Sequence, residues 1–249
     1  MKPSDPTDDE PQPAGASAEN DAPAGSSATE PLATEPLATE PLATEPLEGV
    51  PLFPLGTVLF PGGLLPLQIF ETRYLDMVKG CMRDDRPFGV VLIQEGRESR
   101  RTNDDAAPRV AEVGTLARII DFTQLNNGLL GITAQGVERF RLLRTREQAD
   151  RLLVADVMPL AEAGPAPVPD EYASLVEILQ QLVEHPAVNR LGIEVDWDDA
   201  RSVAGRLADL LPVSPQRKQT VLEVDDPLIR LAELERVVHA MQQEADEDR

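Results

Sequence analysis

Apolar residues follow two regimes along the chain, and the change between them lies at GPAPVP, residues 164–169. Before it, from Leu52 to about Leu160, they come in short runs punctuated by Gly, Pro and Asn, the pattern of strands joined by turns. These runs predict strands over 57–60, 65–69, 88–94, 113–124, 129–134, 137–144 and 152–159. Asn126, Asn127 and Gly128 tolerate positive φ and predict a hairpin turn. One helix interrupts the series over 71–83, with Tyr74, Leu75, Val78 and Met82 on one face. Residues 97–109 are polar and charged and read as an exposed, mobile loop.

Beyond residue 169 the period becomes helical. Tyr172, Leu175, Val176, Leu179, Leu182 and Val183 form a stripe behind an Asp170 cap and stop at Pro186. Val203, Leu207, Leu210 and Leu211 form a second stripe, stopped by Pro212. Ser214 before Pro215 and Asp226 before Pro227 each pair a cap with a first helical residue, so two further helices start there. The last helix carries Leu228, Leu231, Leu234, Val238 and Met241. Strands followed by four amphipathic helices predict an α+β fold, with the helices as a small bundle or as a cap on the β part.

Residues 1–48 change the domain count. They hold no aromatic residue, are dominated by Pro, Ala, Ser, Thr, Glu and Asp, and repeat ATEPL four times over 28–47. Such a composition buries too little apolar surface to offset the entropy of ordering, so it predicts a disordered acidic tail acting as a self-repelling spacer. The foldable part is expected at 49–162, rich in strands, and 170–247, helical.

Formal charge is −21, of which −10 falls in the tail, where eleven acids face Lys2. Both parts are acidic, which repels a phosphate backbone at long range and makes nucleic acid an unexpected partner. Cys81 is the only cysteine, so no intramolecular disulfide forms. With only His185 and His239 beside it, no ligand spacing supports a metal site. No apolar stretch follows Lys2, so no signal peptide is expected. Residues 50–70 are apolar enough to suggest a membrane span, but Pro51, Pro54, Pro61 and Pro66 would break a helix there. A cytoplasmic protein with no membrane partner is expected.

Reactive constellations are missing from the pattern. There is no G-x-x-x-x-G-K-[ST] phosphate loop and no G-x-S-x-G elbow. Ser214 lies four residues before Lys218, but at the start of a predicted helix it reads as the cap. His185 reads as a solvated helix end, His239 as a polar-face residue, and Asp198 with Asp199 as a charged helix start. No catalytic, metal or cofactor residue is assigned, and the chain is expected not to be an enzyme.

Four segments carry a resemblance. LFPLGTVLFPGGLLPLQIFETRY (52–74) closely resembles the opening of the Lon protease amino-terminal domain, with its P-L-x-x-x-[VL]-[LV]-F-P-x-x-x-x-P-L pattern. VGTLARI (113–119) and GVERFRL (136–142) are similar to two strands of that family. LLPVSPQRKQTVLEVDDPLIRLAEL (210–234) is similar to its helical L-P-x-x-x-x-x-K-Q-x-[LV]-L-E pattern. The four stand in the family's order across most of residues 50–240.

The resemblance implies a PUA-like β pseudo-barrel subdomain followed by a small helical bundle subdomain. It also implies a stand-alone member of the family, without its AAA+ and protease domains. The function it implies is a non-catalytic module binding unfolded or degron-bearing protein segments, as a proteolysis adaptor or weak chaperone. A protease or chaperone is a further candidate partner. A small-molecule or RNA-binding PUA-like protein is the alternative, and a divergent hydrolase a third reading. Phe60, Leu64 and Leu65 are the candidate peptide-contact residues, although large apolar side chains in such a turn are more often buried.

Overall fold

The computed structural model describes residues 45–98, 106–190 and 192–247. The tail expected over 1–48 therefore lies outside the described residues up to 44, as do residues 99–105 of the polar loop.

The β part comprises β1 (Leu47–Leu55), β2 (Leu64–Ile69), β3 (Phe88–Glu95), β4 (Arg109–Val110), β5 (Val113–Gln124), β6 (Leu130–Glu147) and β7 (Leu153–Leu160). One helix, α1 (Thr72–Arg83), is inserted between β2 and β3. Hydrogen-bonded neighbours run β1-β7-β6-β5-β3-β4, and β1 also pairs with β3, so five strands close into a ring. The β1–β3 pairing is parallel; the other pairings are antiparallel. β2 lies outside the ring, against the first half of β6.

The ring interior takes alternate residues from all its strands: Val50 and Leu52, Val91, Leu116, Phe140, and Leu153, Ala155 and Val157. The Phe140 ring fills it by lying over two glycines. A Cβ on Gly114 would meet the ring at 2.7 Å and the Val90 carbonyl at 2.5 Å; one on Gly89 would meet the ring at 2.8 Å. The outward residues Phe53, Phe88, Val90, Ile132 and Val154 pack under α1, where the Phe53 and Tyr74 rings stack at 4.1 Å. On α1 the buried face is Tyr74, Met77, Val78 and Cys81. Met82, expected there, is exposed, because the closer three- and four-residue spacing of Met77 and Cys81 takes the inward line.

Two expected strands are corrected. Residues 57–60 form no strand, although Val58, Leu59 and Phe60 are all buried. They are wedged between cores, with Val58 and Phe60 on the helical side and Leu59 on the α1 side. A side chain and a turn satisfy two of their carbonyls: Thr115 Oγ1 donates to the Leu59 carbonyl at 2.6 Å, and Gly63 N to the Phe60 carbonyl at 2.9 Å. The strand lies earlier, at β1, which starts two residues inside the expected tail. β1 tolerates Pro51 and Pro54 because its first half pairs only with β7 and its second half only with β3. Each proline therefore has an unpaired side toward which its missing donor can face.

The expected strands 129–134 and 137–144 are one strand, β6. Gly136 marks a bulge, since Leu116 faces Glu138 while Ala117 faces Gly136. The strand bends there without ending. Its hairpin to β5 turns at Gly128, with φ of 80°, as Asn126, Asn127 and Gly128 predict.

The helical part opens with a 3₁₀ turn, Asp170–Tyr172, and continues as α2 (Ala173–Glu184), α3 (Pro186–Asn189), α4 (Ala200–Leu210), α5 (Pro215–Leu222) and α6 (Pro227–Glu247). Asp170 is not a cap, since it is already inside the 3₁₀ turn that Pro169 starts. Pro186 opens the short α3 rather than only ending α2, with His185 Nδ1 accepting from Ala187 N. Asp199, Ser214 and Asp226 cap α4, α5 and α6 through side-chain oxygens. Leu175, Leu179, Val203, Leu207, Leu222, Leu231 and Leu234 form the helical core, which also takes in Phe60, Leu92 and Val113 from the β part. Among the described residues no helix is long and apolar enough to cross a membrane.

Candidate peptide-binding surface

The matched sequence motifs meet at the contact between strands and helices. Arg139 of β6, fully buried, donates from Nη1 to the carbonyls of Leu222 at 2.9 Å and Val224 at 3.1 Å, and from Nε to Glu162 at 3.2 Å. Asp225 adds an ion pair at 3.0 Å. Arg230 of α6 reaches the Val224 carbonyl at 2.8 Å, and Gln219 Nε2 donates to the Val113 carbonyl at 2.9 Å. Polar residues that sequence alone leaves without a partner thus clamp α5 and the start of α6 onto β5 and β6. They are structural, since both arginines and Gln219 are buried and engaged.

A second polar group holds the loop before β2. Arg206 of α4 donates to the Pro61 carbonyl and pairs with Asp209, and Lys218 Nζ donates to the Asp209 carbonyl at 2.5 Å. Burial pushes the Asp209 carboxyl up and the Lys218 ammonium down from their ordinary values. Lys218 is therefore bound to α4, while Ser214 Oγ accepts from Arg217 N, and the two form no serine–lysine dyad. Burial also pushes the Cys81 thiol up to about 11, opposite to what a nucleophile needs. Among the described residues no cluster of His, Cys, Asp and Glu could hold a metal.

Of the three candidate contact residues, Phe60 has no accessible surface and belongs to the helical core. A peptide cannot touch it in this conformation. Leu64 and Leu65 are half-buried and begin β2, opposite Gln135 and Ala134. β2 then forms one wall of an open depression of about 360 Å³, where Pro66, Leu67 and Gln68 face Phe122 and Leu125 across Gly131. Its floor is low because Gly131 has no side chain; a Cβ there would meet Leu125 at 3.0 Å. Leu67, Ile132 and Phe122 stand in one cross-strand row.

β5 outruns the α1 core at this end, so Phe122 is 60% exposed and Ile120 50%. Phe70, just past β2, is also 60% exposed. Sequence reasoning missed all three, because a strand pattern does not say where the core beneath it stops. The one available signal was length, since twelve residues of β5 exceed the usual strand.

Comparison with known proteins bears on this arrangement. The chain is 27% identical over 175 residues to Lon protease 2 of Myxococcus xanthus, covering 70% of this chain and 18% of that protein. It is 32% identical over 180 residues to the Lon protease of Paraburkholderia phytofirmans, covering 70% and 22%. The chain thus spans about a fifth of the curated relatives it matches. A crystal structure of a Lon N-terminal domain protein from Xanthomonas campestris shares its fold with a TM-score of 0.62 and 34% identity, over 76% of this chain and 97% of that one. What matches is the substrate-binding domain of those proteases, which makes the matched region a substrate-recognition module. Residues 49–240 match the ATP-dependent protease La (Lon) substrate-binding domain, and the chain belongs to that family.

Proposed function

We infer that the protein binds extended, apolar segments of unfolded or degron-bearing proteins at the β2–β5–β6 depression, as a proteolysis adaptor or weak chaperone in the cytoplasm. The observation that carries the reading is the exposed Phe122 lining an open, mostly apolar depression, with the exposed Ile120 two residues before it on β5. Aromatic anchors at such a site supply area at low entropic cost. Leu64 and Leu65 extend the same wall along β2 and are the two sequence candidates we retain as contacts. The closed ring of five strands supports reading the β part as a PUA-like pseudo-barrel subdomain and the helices as a second subdomain.

Pro66 limits how the peptide can bind. It cannot donate a main-chain hydrogen bond, so the outer edge of β2 lacks one donor mid-strand, and side-chain contacts rather than strand addition hold the ligand there. Affinity is accordingly micromolar or poorer, about −8 kcal/mol or smaller in magnitude. Fluorescence anisotropy with a labelled, permanently unfolded protein tests this. Saturable binding that weakens about fivefold or more in Phe122→Ala, with unchanged melting, is expected. No saturation up to about a millimolar, the weak end of the affinity scale, removes the reading.

A further inference from the structure

The second half of β6 reads R-F-R-L-L-R-T-R from Arg139 to Arg146, the densest cationic run in an acidic chain. Simple alternation would split its arginines between the two faces of the strand. The register shifts between Leu142 and Arg144, so the two sides of the bulge differ by one residue. Arg139 faces Leu160, Arg141 faces Met158, Arg144 faces Asp156 and Arg146 faces Val154, while Phe140, Leu142 and Thr145 face Pro159, Val157 and Ala155. Val157 and Ala155 line the ring interior, so the bulge brings all four arginines to the outer face.

Arg139 is consumed by the clamp on the helical part. Arg146 is paired with Asp156 at 3.3 Å, and Asp156 also accepts from Gly49 N. Glu147 is paired with Arg151. Among the described residues, Arg141 and Arg144 are exposed and make no ion pair within 4 Å, although Arg144 lies near enough to Asp156 to help hold its carboxyl low. Between them the bulged Leu143 is 53% exposed.

The same stretch has an open edge. β5 begins at Val113 opposite Arg141, and beyond the bond from Leu142 N to the Glu112 carbonyl no strand among the described residues flanks β6 on that side. Residues 143–147 are all exposed, so nothing described covers this edge. An uncovered edge offers main-chain donors and acceptors to an incoming strand.

We propose that residues 143–147 of β6, with Arg141 beside them on the outer face, are a docking edge for an extended acidic segment of a partner protein. Its backbone adds to the open edge, its carboxylates meet Arg141 and Arg144, and an apolar residue covers Leu143. Charge complementarity selects this occupant. A long polyanion such as nucleic acid is repelled by a chain of net charge −21 and cannot pair with a strand edge, whereas a short acidic segment brings few charges and a matching backbone. The surface is distinct from the β2–β5–β6 depression and does not depend on the function assigned to it.

The test uses the full chain and a labelled ten-residue peptide of alternating Glu and Thr, followed by fluorescence anisotropy at low salt. Saturable binding is expected, at least about tenfold weaker in the double variant Arg141→Glu/Arg144→Glu and unchanged in Phe122→Ala. The double variant should instead take the peptide with Lys in place of Glu. Both sites are exposed, so folding is unaffected, and Arg141→Gln/Arg144→Gln provides a milder pair. The peptide N-methylated at alternate residues should bind less well. Equal binding of the Glu and Lys peptides to the unaltered protein overturns the proposal, as does binding that survives charge reversal or N-methylation. So does an absence of binding up to about a millimolar. A labelled single-stranded oligonucleotide that saturates the protein where the Glu peptide does not, or self-association abolished by the double variant, would give the edge to another occupant and equally overturn it.

Discussion

Single atoms decide several positions. Gly114 sits where any Cβ would strike the Val90 carbonyl at 2.5 Å as well as the Phe140 ring, and backbone cannot give way as a side-chain tip can. Gly114→Ala is expected to destabilise the protein by about 2 kcal/mol, as overpacking does, read as a lower midpoint in urea. Asp156 joins Gly49 N and Arg146, and those hydrogen bonds, the one from Gly49 foremost, hold its carboxyl below the ordinary value. A depressed folded-state value contributes stability above the unfolded value, lost as pH falls through the folded one. Asp156→Asn should therefore melt lower than the unaltered protein at neutral pH, and the gap should close as the solution is taken below the ordinary carboxylate range. A gap that stayed constant with pH would mean Asp156 acts by shape alone.

Among the elements, β6 carries the most. Its eighteen residues pair with β2, β5 and β7, and two bulges let one strand serve the α1 core, the ring interior and the helical clamp in turn. Arg139 is the joint between β6 and the α5–α6 connection. Arg139→Met takes the donor from the buried Leu222 carbonyl, which then stays unpaired at a cost above that of the lost bond, and leaves the Val224 carbonyl and Glu162 to Arg230 alone. A loss of about 3 kcal/mol is expected in chemical denaturation. Protection against hydrogen exchange should fall first in α5 and α6; uniform loss across the sheet would show that the clamp is not local.

Across the whole molecule, charge shapes what can approach. The surface is acidic overall and Asp121 lies at the depression, so unfolded segments flanked by Lys or Arg should bind there more tightly than neutral ones. Raising salt from about 50 to about 500 mM shortens the screening length several-fold and should erase that preference while leaving the apolar part of the affinity. Titrating matched basic and neutral segments at both salts measures it, and a preference that survives high salt would point to specific pairing instead. At the β6 edge the local sign is reversed.

Local pattern carried much of the architecture. β5 matches its expected bounds, β2, β3 and β7 lie within a residue of theirs, and the caps at Ser214 and Asp226 stand where Ser-Pro and Asp-Pro place them. Those features depend on residues a few positions apart, so the sequence by itself determined them. It also contained the family's motifs, which located the fold without explaining the residues in them. Only the tertiary structure decided that residues 58–60 are buried without being a strand, that β1 survives its prolines by changing partners midway, and that Gln219 and Arg139 are clamps. The same holds for the surfaces. Periodicity tells which residues share a face, but Phe60 is hidden and Phe122 exposed because of where distant elements end, and four arginines share one face because β7 pairs across a bulge. Partners, register and the limits of a core are long-range quantities, set by contacts between residues far apart in the chain, and no local window of sequence contains them.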